Sequence, residues 1–234
     1  MKKPRYITIS IILLLLLSAA SSSANAFARP LAATSPTLGA ALSYSVLAGS
    51  IVTNSGLSVI SGDLGVSPTI GVPPHVTGFP PGIVNAPGAI HDGDANAAAA
   101  QADNTAAFTT IDQGCTTTYA GTQDLTLVSP LGPGVYCADA FILTGNLTLN
   151  GTGVYIFKSS STLTTSAGSS VTGVDPCNVW WRLVSSASIL GSGSSIIGNI
   201  LALTDINLQD GASVNGRVMT QVGQVTLLNN NIFG

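Results

Sequence analysis

A short phrase that occurs three times in the last third of the chain constrains the fold more than any other feature. Each copy places a β-branched apolar residue among small polar or apolar residues, and each copy begins and ends with glycine. The copies span residues 168–173, 193–198 and 211–216. Their spacing fits the coils of a solenoid, in which each repeat buries its apolar side only by stacking on its neighbours.

The other β-like segments separate into types that suggest a three-sided coil. Residues 154–157 represent a strongly apolar type that needs cover on both faces, and residues 206–208 represent a type that alternates apolar and polar residues. The glycine-bounded phrase is the third type. Three strands per coil predict a mainly β fold, a triangular β-solenoid (β-helix).

One segment has helical rather than β character. Residues 94–111 contain no Gly or Pro, and Ala, the best helix former, occupies eight of the eighteen positions. Asp92 or Asp94 can cap the start of this helix, and Gly114 stands where it should stop. We predict one long α-helix over about 94–112, packed along one face of the solenoid, and a Gly- and Pro-rich loop over residues 67–88.

The N-terminus has the pattern of a secretory signal peptide. Three basic residues precede an apolar run at 7–20 that is too short to span a membrane comfortably, and no positive cluster follows it. We expect residues 1–28 to be removed by cleavage near Ala26 or Ala28. The remaining residues, 29–234, should form a single secreted domain, and we expect it to be a monomer.

The charge of the chain after residue 28 excludes several classes of partner. Four basic residues remain against ten Asp and no Glu, so the net charge is about −6. Scattered bases cannot neutralise a row of nucleic-acid phosphates or an anionic membrane surface. We therefore expect neither nucleic acid nor membrane as a partner of the mature protein.

The cysteines indicate a disulfide rather than a metal site. The spacings of Cys115, Cys137 and Cys177 fit no zinc pattern, and an exported chain favours disulfides. We predict a Cys115–Cys137 bond, which would close a loop after the helix, and a buried free thiol at Cys177. The sequence alone leaves the pairing open.

No constellation of residues indicates catalysis, a cofactor or a metal. Residues 91–94 (His-Asp-Gly-Asp) superficially resemble a metal site, but they precede the predicted helix, where Asp ordinarily acts as a cap. A secreted polysaccharide-cleaving or carbohydrate-binding solenoid is an alternative, although a lyase gathers carboxylates and bases in one cleft. A cell-surface adhesin module is another, and it would predict further repeats, a sorting signal or an anchor.

The outward positions of the third strand type are the candidate site. Because side chains alternate along a strand, the β-branched residue of each phrase points inward and its two neighbours point outward. Residues 51–53 and residues 231–232 have a related alternation of polar and β-branched residues. The predicted outward residues are Ile51, Thr53, Ser170, Thr172, Ser195, Ile197, Ser213, Asn215 and Asn231.

Such a ladder suits a solid, ordered ligand. Stacked strands repeat every 4.7–4.9 Å or so, and residues i and i+2 are about 7 Å apart, a grid comparable with the repeats on faces of ice. Small hydroxyls can anchor ordered water, and neighbouring methyl groups perturb it less than charges would. An inert or adhesive solenoid is the simpler interpretation of the pattern alone.

Several motifs nevertheless resemble those of the microbial ice-binding (antifreeze) protein family. They run in family order and cover essentially all of residues 37–232. The matching stretches are residues 46–54 (VLAGSIVTN), 62–68 (GDLGVSP), 78–82 (GFPPG), 133–136 (PGVY), 178–181 (NVWW) and 212–217 (ASVNGR).

The resemblance implies both a fold and a function. It implies a discontinuous triangular solenoid with one flanking helix, in which the first coil packs beside the last. It also implies a secreted, cofactor-free protein that adsorbs to ice and inhibits its growth and recrystallisation through the third strand type. The neighbouring face, with Thr162, Thr164, Asn207 and Gln209, is the alternative surface.

Overall fold

Three parallel β-sheets form the sides of a triangular solenoid, and one helix lies along one of them. The computed structural model describes residues 32–67, 72–189 and 192–234, which belong to one compact unit, Leu31–Gly234. The predicted signal peptide at 1–28 lies outside the described residues. The prediction of a mainly β solenoid with one helix is confirmed.

Among the described residues, seven short strands precede the helix. They are β1 (Tyr44–Ala48), β2 (Val52–Ser55), β3 (Val59–Ser61), β4 (Asp63–Val66), β5 (Val76–Thr77), β6 (Ile83–Asn85) and β7 (Ile90–Asp92). Strands β5 and β6 lie inside the segment predicted as loop, so that prediction was wrong for these residues. The two strands occupy the proline-free parts of the segment, where backbone N–H groups remain free to pair with the coil below.

The helix, α1, spans Ala95–Thr110, close to the predicted bounds. The side chain of Asp94 caps it by accepting a hydrogen bond from the backbone N–H of Ala97 at 2.9 Å. Its buried face is made largely of alanine, which lets the helix lie close to the sheet. Short 3-10 helices occupy Gly39–Ser43, Leu125–Val128 and Pro176–Asn178.

The strands after the helix wind the solenoid back towards its first coil. They are β8 (Thr117–Thr118), β9 (Thr122–Asp124), β10 (Gly134–Ala138), β11 (Ala140–Leu143), β12 (Asn146–Thr148), β13 (Tyr155–Ser159), β14 (Leu163–Thr165), β15 (Ser170–Thr172), β16 (Val179–Leu183), β17 (Ala187–Ile189), β18 (Ser195–Ile197), β19 (Asn199–Ala202), β20 (Ile206–Leu208), β21 (Ser213–Asn215), β22 (Val218–Thr220), β23 (Val225–Leu228) and β24 (Asn231–Phe233).

The described strands form three sheets with a common order of coils. Sheet A is β7-β4-β1-β22-β19-β16-β13-β10-β8, sheet B is β5-β2-β23-β20-β17-β14-β11-β9, and sheet C is β12-β15-β18-β21-β24-β3-β6. The three predicted strand types correspond to these sheets: apolar strands in A, alternating strands in B and the repeated phrase in C. In each sheet the first coil (β1–β3) pairs with the last coil (β22–β24), as the family resemblance implied.

The glycines of the repeated phrase turn the chain into and out of sheet C. The opening glycine has φ between 70° and 74° in all three copies, and the closing glycine has φ between 109° and 140°. Residues with a Cβ atom rarely adopt these positive φ values, so glycine is required before and after each of the strands β15, β18 and β21. This local requirement explains why the phrase recurs.

Two hydrophobic layers stabilise the coils. The solenoid interior contains aromatic side chains stacked across successive strands of sheet A, among them Tyr136, Phe157 and Trp181. A second layer lies between sheet A and α1, where Leu47, Trp180 and other outward residues of sheet A are covered by the helix. Sheet A is therefore buried on both faces, which leaves sheets B and C as the surfaces open to a ligand.

A disulfide joins the segment after the helix to strand β10. The structure pairs Cys115 with Cys137, which are 22 residues apart. Cys177 is free and exposed, so its predicted burial was wrong: it lies in the connection before β16, outside the alternation that buries Val179.

Replacing Cys115 and Cys137 together with serine should lower the free energy of unfolding by about 3 kcal/mol, because a loop of this length is no longer closed in the unfolded chain. Urea unfolding followed by circular dichroism would measure the change. Cys177→Ser is the matched control and should change stability by less than about 0.5 kcal/mol, as surface substitutions do. A double variant as stable as the parent would contradict the prediction.

Candidate functional surface

The structure divides the nine predicted site residues between two sheets. Seven of them, from Ser170 to Asn231, lie on sheet C. Ile51 immediately precedes β2, and Thr53 lies within β2, so both belong to sheet B. Grouping all nine on one face was therefore wrong. The apolar–polar alternation is the same on both sheets, and it does not report which side of the coil a strand occupies.

Sheet C is not a regular surface. The pairing of β15 with β18 is reduced to Ser170 and Ser195, whereas neighbouring pairs retain three residues. Ile197, predicted to point outward, is only 9% exposed and belongs to the core. On the same row, Phe233 projects from the sheet and is 46% exposed.

A connection between strands contributes to this irregularity. After β15 the chain leaves sheet C through the 3-10 helix Pro176–Asn178 before it enters β16. Residues of this connection line a small cavity together with Asn215 and Phe233. Some hydroxyls of sheet C are also already engaged: Ser170 Oγ donates to Asn146 Oδ1 at 3.0 Å. The sheet therefore offers fewer free, evenly spaced groups.

The outer side of sheet B carries a more continuous row. Its strands pair in register from β5 to β9, and each outward position lies beside the next. The row consists of Thr77, Thr53, Thr226, Asn207, the register position of Ser188, Thr164, Ile142 and Asp124. We call the outer surface of sheet B, centred on this row, the threonine face.

Flanking rows widen the threonine face on both sides. Because side chains two residues apart point the same way, Ile51, Gln224 and Thr162 flank the central row on one side. Ser55 and Leu228 flank it on the other side. The face therefore combines hydroxyl, amide and aliphatic groups.

The polar groups at the centre of the threonine face are available to solvent. In the part of the chain that the structure describes, no hydrogen bond engages the side chains of Thr53, Thr164, Asn207 or Thr226. Thr77 Oγ1 donates only a long bond of 3.4 Å to the carbonyl oxygen of Val52. These hydroxyl and amide groups can therefore hydrogen-bond water without first breaking a bond within the protein.

Charges lie at the margins of the threonine face. Asp205 accepts a bond from the backbone N–H of Gln224 at 2.9 Å and so serves the turn. Burial raises the pKa of Asp124, but hydrogen bonds from Thr144 and Thr126 outweigh burial and hold that pKa below its usual value. Asp124 is therefore an anion on β9, the edge strand of sheet B, and it ends the uncharged row.

The basic side chains are engaged elsewhere. Lys158 and Arg182 lie on sheet A and contact opposite oxygens of Asp112 at 2.6 and 3.1 Å. The hydrogen bond from Lys158 lowers the pKa of Asp112, with burial opposing it and Arg182 adding to it. Among the described residues, no lysine or arginine lies on sheet B.

Comparison with known proteins identifies the family. The sequence profile of the family described as ice-binding-like matches residues 46–233. The chain belongs to this ice-binding-like family. The resemblance drawn from the sequence motifs is therefore confirmed.

Individual members of the ice-binding-like family support this assignment. An ice-binding protein of Nostoc sp. (strain HG1) is 41% identical over 213 residues, covering 86% of this chain and 75% of that protein. The crystal structure of an ice-binding protein from Antarctomyces psychrotrophicus, an Antarctic ascomycete, has 34% identity and a TM-score of 0.76, covering 86% and 98% of the two chains. One from an Antarctic biological consortium has 33% identity and a TM-score of 0.79, covering 88% and 93%.

Other candidate sites of this family member have ordinary structural roles. His91 Nδ1 lies 2.7 Å from Asp94 Oδ2, and His75 Nδ1 lies 2.8 Å from Asp92 Oδ1. Within residues 32–67, 72–189 and 192–234, no group of three or more His, Cys, Asp or Glu side chains is arranged to hold a metal ion. The same residues include no helix long and apolar enough to cross a membrane.

Sequence reasoning missed several members of the threonine face, among them Thr77 and Thr226. Thr77 lies in β5, inside the segment predicted as loop, and Thr226 lies in β23, which was recognised as a strand but not assigned to a face. Both follow a valine in a Val-Thr pair, as Thr53 does. The repeated Val-Thr pair relates these three strands, but Val171-Thr172 on sheet C is the same pair, so the pair alone does not identify the sheet.

Proposed function

We propose that this protein binds ice through the threonine face and thereby inhibits ice growth and recrystallisation. One observation supports the choice of surface most directly. The central row of sheet B presents hydroxyl and amide side chains on β5, β2, β23, β20 and β14, with no partner in the described chain for Thr53, Thr164, Asn207 or Thr226. Relatives of this chain are named ice-binding proteins.

The regular spacing of the side chains on the central row suits a crystalline ligand such as ice. Adjacent strands place the row's side chains about 4.8 Å apart, and the flanking rows lie about 7 Å away. Water held by these groups forms a two-dimensional array that joins the ice lattice. The backbone ladders are rigid, so little conformational entropy is lost when the face meets a crystal.

The mixture of methyl and hydroxyl groups serves the same purpose. A threonine hydroxyl fixes one water position, while its methyl group and the aliphatic side chains of Ile51 and Leu228 leave neighbouring water bonded to other water. A basic side chain on the face would hold its own hydration shell. The proposal involves no catalytic step and no cofactor, and we propose that the mature protein acts as a secreted monomer.

Thermal hysteresis and recrystallisation assays on the purified protein test the proposal directly. Ice crystals should become faceted, and hysteresis should rise with protein concentration and vanish after heat denaturation. A protein that binds a polysaccharide but leaves ice crystals unshaped would overturn the proposal in favour of the carbohydrate-binding alternative.

Ile142→Thr should increase ice-growth inhibition, because Ile142 follows Thr164 on the central row and interrupts its hydroxyls. The side chain is half-buried on the outer side of β11, so threonine fits the strand with little change in packing. Hysteresis measured at equal protein concentrations would show the gain. A matched Val184→Thr change at the exposed residue that follows β16 should have no effect, and an Ile142→Thr variant less active than the parent would contradict the prediction.

A further inference from the structure

The threonine face is assembled from two parts of the chain that no local connection joins. Strands β5 and β2 contribute Thr77 and Thr53, and strands β23 to β9 contribute the remainder. Elsewhere along the solenoid, adjacent coils are consecutive in the chain. Between β2 and β23 they are not: the paired residues Thr53 and Thr226 are separated by almost the whole domain. We call this boundary the seam.

We propose that Thr220 and Asn229 are positioning residues that hold the two parts of the threonine face together across the seam. This inference rests on the proposed function. The two residues lie at opposite ends of the β2–β23 pair: Thr220 lies at the corner between sheets A and B, and Asn229 lies at the corner between sheets B and C.

At the first corner, Thr220 links the first and last coils. Its Oγ1 accepts a hydrogen bond from the backbone N–H of Gly49 at 2.9 Å and donates to the carbonyl oxygen of Gly223 at 2.7 Å. The residue is fully buried, so water does not compete for these bonds.

The helix reinforces this first corner from outside. Gln101 Nε2 donates to the carbonyl oxygen of Thr220 at 2.8 Å, and Asn104 Nδ2 donates to the same oxygen at 3.1 Å. On the other side of the seam, Asp103 Oδ2 accepts a bond from the backbone N–H of Ala40 at 2.7 Å. Helix α1 therefore contacts both the last coil and the segment that leads into the first coil.

At the second corner, Asn229 makes the equivalent link. Its Oδ1 accepts a hydrogen bond from the backbone N–H of Leu57 at 2.8 Å, and its Nδ2 donates to Asp210 Oδ1 at 2.8 Å. Asn229 has a φ of 51°, a left-handed conformation that asparagine tolerates better than most residues. A Cβ atom on Gly56 would collide with the Asn229 side chain, so the two coils fit closely here.

These contacts matter for ice because a lattice ligand requires accurate spacing across the whole face. Strand β2 has only four residues, and its pairing with β23 has no covalent support at either end. Binding sites lose function when their groups move by about 1 Å. Loosening both corners would let Thr53 and Thr77 move relative to Thr226 while the rest of the face stays intact.

The third corner of the same seam provides a matched control. Ser45 Oγ accepts a bond from the backbone N–H of Gly234 at 3.0 Å and donates to the carbonyl oxygen of Ser61 at 2.7 Å. This corner joins sheets C and A, away from sheet B. Ser45→Ala also removes a seam contact, but it should leave the threonine face in place.

A double-mutant cycle tests the inference. Thr53→Tyr would be measured in the parent and in the Thr220→Val/Asn229→Gly background, with hysteresis and incorporation into growing ice as readouts. We expect the background to be less active than the parent and the effect of Thr53→Tyr to shrink by about twofold or more, as expected for coupled groups. Thr164→Tyr, on the continuous part of the face, should keep its full effect in both backgrounds.

The outcomes separate the two ideas. If Thr53→Tyr has no effect in the parent, the proposed face is wrong. If Thr53→Tyr lowers activity equally in the parent and in the Thr220→Val/Asn229→Gly background, the positioning role is wrong. The positioning role is also wrong if Ser45→Ala lowers activity as much as the changes at Thr220 and Asn229 do. If the Thr220→Val/Asn229→Gly variant does not fold, amide hydrogen exchange of the single variant Thr220→Val decides the question. The Val225 N–H, which bonds the Ile51 carbonyl across the seam, should exchange faster than in the parent. The Phe141 N–H, far from the seam, should exchange at the parent rate.

Discussion

Thr53→Tyr is expected to remove most of the inhibition of ice growth without unfolding the protein. Thr53 is exposed on the central row of the threonine face, between Thr77 and Thr226. A tyrosine ring there would stand above its neighbours and keep the surrounding rows away from a flat crystal. Tyrosine is favourable in exposed strand positions, so the fold should tolerate it. We expect a loss of apparent ice affinity on the order of tenfold, which corresponds to about 1.4 kcal/mol.

Thr172→Tyr is the matched control for this experiment. Thr172 is also an exposed strand threonine, but it lies on sheet C, on the predicted surface that the proposal does not use. It should leave hysteresis within the error of the parent, and both variants should retain the parent melting temperature. Loss of activity in Thr172→Tyr with full activity in Thr53→Tyr would move the ice-binding surface to sheet C.

The largest effect on stability is expected from Trp181→Ala, which should lower the free energy of unfolding by about 3–5 kcal/mol. Trp181 is fully buried, and its ring stacks on Phe157 with 4.3 Å between centroids. Its Nε1 also donates to the carbonyl oxygen of Ile197 at 3.0 Å, so truncation leaves both a cavity and an unpaired carbonyl. Urea unfolding followed by far-ultraviolet circular dichroism would measure the loss.

Val222→Ala serves as the comparison for Trp181→Ala. Val222 is 63% exposed, so its truncation should change stability by less than about 0.5 kcal/mol. If the free energy of unfolding of Trp181→Ala lies within about 1 kcal/mol of the parent value, the aromatic stack contributes little to stability. At low temperature, where the variant is still folded, its threonine face should remain active, because Trp181 lies in sheet A.

The fold could be predicted largely because its determinants are local. The glycines of the repeated phrase turn the chain at fixed positions, and the alanine-rich segment after Asp94 strongly favours a helix. The family motifs supplied the order of coils. The fate of Cys177 could not be predicted, since its exposure depends on a connection that bends away from the alternating pattern of β16.

The surface was harder to assign because alternation is common to sheets B and C. The segment at 51–53 alternates like the phrase at 170–172, yet the two lie on different sides of the coil. The phrase closes on a glycine with positive φ and Thr53 is followed by Asn54, but Thr77 on sheet B is also followed by a glycine with positive φ, so this feature does not separate the sheets. The burial of Ile197 comes from its tertiary packing in the core cluster, which the alternation of its own strand does not reveal.

The seam also has a consequence for how the molecule is made. Gly49 precedes Thr220, which accepts its N–H, by 171 positions in the sequence, so the first coil emerges from the ribosome long before the last coil exists. Contacts of such long range form slowly. Until β23 pairs with it, one edge of β2 stays open and can pair with strands of other chains. Nascent chains should therefore be most prone to aggregate, and most dependent on holding chaperones, until strands β22–β24 have been synthesised.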